Sequence, residues 1–385
     1  MKRSFAAIAA AALSLSLFTA CGGSSTDGNV IKIGVNYELS GAVATYGDAS
    51  VKGIEMAVEE INAAGGIDGK NIELVKYDNK SEPAEATTLA TKLMTQDDVV
   101  AIIGPATSGS FKATIPVANQ NKVPVVSGSA TAEDVTVSNG KLQEYAFRTC
   151  FSDSYQGTAM ANFATKNRSA KTAVILKDTS SDYAKGLAEN FAKTFTANGG
   201  TIVGEEGYIA GETNFNTVLT RIKSLDFDVM YVPGYYEEVG LIIKQARDQN
   251  IMQPVLGGDG FDSPVLLEKA GAAALTDVFY TNHYSSLDQD AKVQDFIKNY
   301  KTKYGEEPNA FNALGYDTAY FVADAIGRGG ELTGESVQQA MASTTDFSGV
   351  TGTFSIDPKT HEPVKTAVVV ELQNGVLVSA EKSAL

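Results

Sequence analysis

The residues in this chain best suited to chemistry sit in a few glycine-flanked loops. Ser108 lies in Gly104-Pro105-Ala106-Thr107-Ser108-Gly109-Ser110, and Ser129, Ala130 and Thr131 lie in Ser127-Gly128-Ser129-Ala130-Thr131. Hydroxyl groups beside free backbone amides at helix starts bind anions without a net cation. Tyr46, Tyr183, Tyr235 and Tyr236 lie in three more loops, at 40–48, 178–183 and 233–236, and supply flat apolar walls with a polar edge. Asp259, in Gly257-Gly258-Asp259-Gly260-Phe261, is a single acid among glycines and can meet a cation. An amide-rich anion site, aromatic walls and one carboxylate together suit a small zwitterion. Each residue also has a plainer role open to it: Ser108 and Thr131 as helix caps, Asp259 as a turn residue. Six such loops in one chain favour a binding site.

Other chemistry has little vocabulary here. There are two histidines, His283 and His361, and no HExxH, CxxC, GxSxG or GxxxxGK[ST] motif, so no metal or cofactor site is expected. A hydrolase built on Ser108 and Asp259 would need a histidine base, and no histidine is expected near either loop. Cys150, in the apolar stretch 145–151, reads as a small buried residue rather than a nucleophile.

The elements that must position these loops alternate along the chain. Short runs rich in Val, Ile and Tyr at 31–37, 72–77, 99–103, 123–126, 173–176, 228–232 and 277–280 read as strands. Helical patterns fill 48–63, 84–95, 182–198, 215–224, 236–249 and 309–327, the first ending at Gly65-Gly66. Such alternation predicts an α/β fold with parallel sheets covered on both faces, whose strand-end loops carry the site. The 385 residues, 43% hydrophobic, are enough for two cores.

The first residues describe export. Met1-Lys2-Arg3 is basic, Phe5 to Phe18 is apolar but short for a bilayer span, and Thr19-Ala20-Cys21 is a small-residue cleavage site followed by a thiol. The string LFTACGGSS resembles a bacterial lipoprotein signal, with Phe18 where Leu is usual. That resemblance makes Cys21 the lipid attachment point, residues 1–20 a signal peptide and 21–30 a tether. Loss of Lys2 and Arg3 takes the formal charge from −15 to −17. So acidic a chain excludes nucleic acid and an anionic membrane face as partners, and the lipid alone would hold it at the extracytoplasmic face of the cell membrane. With Cys21 acylated, Cys150 has no disulfide partner.

Five segments taken together resemble a known family: ELSGAVATYGD (38–48), VEEINAAGGIDGKNIELVKYDNKSEPAEA (58–86), IIGPATSGS (102–110), YIAGETNFNTVLTRIKSLDFDVMYVPGYYEEVG (208–240) and GYDTAYFVADAI (315–326). The chain from 30 to 385 is similar to the substrate-binding proteins of branched-chain amino acid ABC transporters. The resemblance implies the type I periplasmic binding protein fold, two Rossmann-like lobes with parallel sheets joined by a three-strand hinge. Crossovers fall near 150, 279 and 355, with residues 31–150 and 280–355 in one lobe and 151–279 and 356–385 in the other. It implies no catalysis and no cofactor, a monomer, a small hydrophobic amino acid as ligand and ABC permease subunits as partners. By position, Ser108, Ser129, Ala130 and Thr131 should hold the ligand carboxylate, Tyr46 should line the cleft, Tyr183 and Tyr235 should cover the ligand, and Asp259 should take its ammonium. The family commonly has glutamate at that last place. Phe261 and Tyr236 are expected near the side-chain pocket, and Tyr316 and Asp317 near the cleft. With one acid and no Arg or Lys in this set, an acidic ligand side chain would be costly to bury. A receptor for an amide, a polyamine or an aromatic acid, or a lipid-anchored sensor, would use the same lobes.

Overall fold

The computed structural model describes residues 30–383. Cys21, the signal peptide and most of the tether lie outside them. Two sheets organise the described residues. The first contains β1 (Val30–Tyr37), β2 (Asn71–Asp78), β3 (Ala101–Ile103), β4 (Val125–Ser127) and, beyond a small hairpin of β5 (Val137–Ser138) and β6 (Lys141–Leu142), β7 (Ala146–Arg148). All are parallel, in the order β2-β1-β3-β4-β7. The second contains β8 (Thr172–Asp178), β9 (Thr201–Tyr208), β10 (Val229–Tyr231), β11 (Val255–Gly257) and β12 (Val278–Asn282) in parallel. After the hairpin of β13 (Phe347–Gly349) and β14 (Gly352–Phe354), β15 (Val368–Gln373) and β16 (Val376–Lys382) join it antiparallel, for the order β16-β15-β12-β11-β10-β8-β9.

Helices α1 (Ala44–Ala63), α2 (Pro83–Thr95) and α3 (Ser108–Asn121) flank the first sheet. Helices α4 (Asp153–Asn162), α5 (Asp182–Ala197), α6 (Asn216–Lys223), α7 (Tyr236–Asp248) and α8 (Pro264–Ala270) follow with the second. The chain then returns through α9 (Ala291–Tyr304), α10 (Ala310–Gly329) and α11 (Gly334–Ala342), and α10 packs on α1. This is the expected α/β alternation. The central strands β3, β4, β10 and β11 are short and wholly buried, which is why they read as continuous apolar runs.

Two local features show how sequence sets these elements. Helix α1 ends where Gly65 and Gly66 take positive φ, 108° and 70°, a backbone state that glycine adopts at little cost. Helices α1 and α10 touch backbone to backbone, because a Cβ on Gly53 would lie 2.0 Å from the Asn312 carbonyl oxygen and one on Gly315 would lie 2.1 Å from that of Ser50. The chain passes between the sheets three times, through 149–152, 283–290 and 355–367. The second passage starts later than expected: position 279 falls inside β12, which stays paired with β11 and β15 and runs on to Asn282.

Candidate functional site

Between the sheets, the loops at the C-terminal strand ends face one another across a narrow, tightly closed pocket. From the first sheet come Tyr46 on α1, Ala106, Thr107 and Ser108 after β3, and Ser129 after β4; from the second come Tyr183, Tyr235, Asp259 and Gly260. Phe311, in the first turn of α10, completes the wall.

On the first-sheet side a buried acid shapes the loop. Glu38 is wholly buried and accepts hydrogen bonds from the amides of Ala106 (2.9 Å) and Thr107 (3.1 Å) and from the Thr107 hydroxyl (2.9 Å). Burial raises its pKa, while those three donors pull the other way. Beyond it, α3 makes its first turn with Phe111 N–H donating to the Thr107 carbonyl (2.9 Å). The amides of Ser108, Gly109 and Ser110 therefore stand at an open helix N-terminus. Ser108 Oγ accepts from the Ala132 amide (3.1 Å) and Ser129 Oγ donates to the Ala106 carbonyl (2.9 Å).

Ala130 and Thr131 lie behind this wall. The Ala130 amide donates to Ser127 Oγ (2.9 Å), and wholly buried Arg148 gathers the carbonyls of Thr131 (2.9 Å) and Ala132 (2.8 Å). Thr131 Oγ1 is buried and has no hydrogen-bond partner among the described residues. It is close enough to Asp153 to lower that group's pKa, but without hydrogen-bond geometry; burial dominates and leaves the Asp153 carboxyl well above the usual range.

The second-sheet side is built around Asp259, 3% exposed at the end of β11. Its Oδ1 accepts from Tyr183 Oη (2.8 Å) and Gln156 Nε2 (3.1 Å), and its Oδ2 faces His283 Nε2 (3.0 Å). Tyr183 Oη also accepts from the Gly260 amide (2.9 Å). The Tyr183 ring stacks on Tyr235, centroids 5.2 Å apart, and Tyr235 meets Tyr46 edge-on at 5.7 Å. Tyr46 stacks on Phe311 (4.2 Å) and donates from its hydroxyl to the Gly260 carbonyl on the opposite side. Burial pushes the phenols of Tyr46 and Tyr183 well up, so both stay neutral donors. At the rim, Lys112 on α3 bridges Asp134 (2.6 Å) and, across the cleft, Asp182 on α5 (2.9 Å).

Other expected residues stand elsewhere. The Tyr236 hydroxyl meets Ala42 O and Thr45 N at 3.3 Å each and seals the edge of the cleft. Phe261 packs toward Tyr280 (5.7 Å) in a separate groove. Tyr316 donates to Glu60 (2.6 Å), and Asp317 accepts from the amides of Val350 and Thr351 (2.7 Å each). Cys150 is buried, its thiol pushed up to about 12 by desolvation.

One expectation is overturned. A histidine does reach Asp259, because β12 lies beside β11 and brings His283 to the carboxylate. It pairs with the acid, while the Ser108 hydroxyl is occupied by Ala132, so the three groups do not form a relay. Gln156, Glu38 and Phe311 also escaped the sequence reading. No group of three or more His, Cys, Asp or Glu suited to a metal occurs among the described residues.

Parallel strands in two sheets, with a pocket of polar and aromatic side chains between their C-terminal ends, define a two-lobed binding protein. The sequence pattern of the periplasmic binding protein family matches residues 30–376, and the chain belongs to that family. It is 30% identical to the leucine-, isoleucine-, valine-, threonine- and alanine-binding protein of Pseudomonas aeruginosa over 86% of this chain and 87% of that protein. Among solved structures it is similar to the branched-chain amino acid transporter substrate-binding protein LivJ of Streptococcus pneumoniae in complex with isoleucine, at 43% identity and TM-score 0.87, covering 92% of this chain and 99% of LivJ. A solute-binding protein of R. palustris in complex with benzoate shares the fold at 26% identity and TM-score 0.81, covering 92% and 97%.

Proposed function

We propose that this chain is an extracytoplasmic receptor that captures a branched-chain amino acid between two lobes and delivers it to an ABC permease, without chemistry. The observation that carries the reading is the pairing of opposite polarities across one small cavity. The α3 N-terminus, Ser108 and Ser129 stand on one side and the buried Asp259 on the other. In this reading Asp259 receives the ammonium, while Tyr183, Tyr235 and Tyr46 enclose the ligand.

No Lys or Arg lines the cavity, so an acidic side chain would be buried unpaired. Benzoate, the ligand of a relative with this fold, carries no ammonium and would leave Asp259 uncompensated. The names and the bound isoleucine of the relatives support the branched aliphatic class.

The two sheets with their helices form the lobes, and 149–152, 283–290 and 355–367 form the hinge. The mature receptor is a monomer held to the membrane by lipid on Cys21. Calorimetric titration of denatured, refolded and ligand-free protein tests the function. Leucine, isoleucine or valine should bind at one site per chain, and glutamate and arginine should give no measurable heat. Tight binding of an acidic or basic amino acid, with none of the three branched ones, would reject the reading.

A further inference from the structure

We propose that His283 and Gln156 are positioning residues that set the Asp259 carboxylate for the ligand ammonium, and that a proton on His283 competes with the ligand. The proposal rests on the reading that Asp259 meets the ammonium. Gln156 is itself held on several sides: Oε1 accepts from the Thr281 hydroxyl (2.7 Å) and the Asp259 amide (3.3 Å), and Nε2 donates to both Asp153 (3.1 Å) and Asp259 (3.1 Å). Its amide orientation is thereby determined. The His283 side chain is 1% exposed and stacks on Phe151, with centroids 3.6 Å apart and planes 14° apart. Phe151 lies in the first passage between the sheets and His283 opens the second. The second connecting segment therefore touches the acid through His283, and the first backs that ring with Phe151.

A carboxylate only accepts, so His283 Nε2 must carry the hydrogen; Nδ1 has no partner among the described residues. The neutral imidazole satisfies this geometry, and a second proton would leave a buried N–H at Nδ1 unpaired. Burial and the nearby Lys365 also oppose protonation, while Asp259 favours it. Asp153 reaches this cluster through Gln156. An imidazolium would neutralise Asp259 and repel the ammonium, and by linkage the ammonium must equally repel the proton. Affinity should fall as pH drops below the ordinary histidine range.

Isoleucine titrated into ligand-free protein between about pH 5 and 8 tests this with three variants. His283→Phe keeps a flat ring on Phe151 but no donor, and should bind about tenfold more weakly or worse at the upper end of the range. His283→Gln keeps an N–H donor that does not titrate. It should bind more tightly than His283→Phe and lose the weakening toward pH 5 seen in wild type. Folded His283→Phe within threefold of wild type, or one pH profile shared by wild type and His283→Gln, would overturn the proposal; if His283→Phe does not fold, the profiles decide. Asp259→Asn separates the two readings. If it binds like wild type, the ammonium site itself is misplaced; if it loses binding while the His283 variants do not, only the positioning role fails.

Discussion

At the scale of single residues, the proposed reading gives Asp259 the heaviest electrostatic duty in the cleft. The ammonium of a captured amino acid loses its water, and among the lining residues Asp259 alone is a carboxylate. Removing one partner of a desolvated charge pair typically costs about 2–5 kcal/mol, roughly 30- to 4,000-fold in affinity. Asp259→Asn should therefore weaken isoleucine by at least the lower figure in calorimetry, while the poor binding of its des-amino analogue should change little. Equal losses for both ligands would place the ammonium elsewhere. Aspartate is one methylene shorter than the family's usual glutamate, and Tyr183, Gln156 and His283 contact its oxygens. Ser108→Ala should cost less, about 1–2 kcal/mol, because the free amides of α3 remain. A larger loss than that from Asp259→Asn would reverse this ranking.

At the scale of elements, α3 and α5 face each other across the rim through Lys112 and Asp182. Lys112 is about a quarter exposed (27%), so the pair lies in the weak range of roughly 0.2–1 kcal/mol. It exists only while the two sides are together. Stopped-flow kinetics on Lys112→Met should show ligand leaving a few-fold faster, with less dependence of that rate on salt; an unchanged off-rate at low salt would remove any latching role. The same helices show what was legible from sequence. Helix α5 was readable because Tyr183, Leu187, Phe191 and Phe195 repeat on one buried stripe. Helix α3 reads in sequence only as a loop with an anion-binding start, because Ser108, Gly109, Ser110 and Pro116 blur its apolar period. Helix α4, DSYQGTAMAN, has hardly any amphipathic contrast, so Gln156 went unnoticed. Strand β9 is interrupted by Gly204 and Gly207, and the β15–β16 ladder closes late in the chain. Loop residues after β3, β4, β8, β10 and β11 could be located because a parallel sheet puts its site at those ends. Their partners could not. Gln156 and Asp259 are 103 residues apart, and no local pattern records that meeting.

At the scale of the whole molecule, the first and third connecting segments are cross-linked by buried charge. Lys365, in the third, donates to the Thr149 carbonyl (3.0 Å) in the first, and Arg148, at the edge of the first, pairs with Glu362 in the third. Burial lowers the Lys365 ammonium to about 8, with Asp317 opposing the shift. A lysine in the unfolded chain titrates near 10.4, so between these values the unfolded state holds more protons and stability rises with pH. The penalty for burying this charge is thus complete below about pH 8 and relieved above it. Chemical denaturation should show wild type gaining about 2 kcal/mol relative to Lys365→Met between pH 8 and 10. A constant difference would mean that Lys365 is not desolvated.

The two sides of the cleft meet through Tyr46 and Gly260, through Thr45 and Ser263 (3.0 Å), and through Asp262, which accepts from the Ala310 amide at the start of α10 (2.8 Å). With only three covalent connections between the sheets, the ligand-free chain should populate forms in which these contacts are broken, and ligand should draw them together. Small-angle scattering of the refolded, ligand-free protein during titration with isoleucine tests capture and closure at once. The radius of gyration should fall and saturate near one isoleucine per chain, with no such change on adding glutamate. An unchanged radius at saturating isoleucine, leucine and valine would contradict ligand-driven closure.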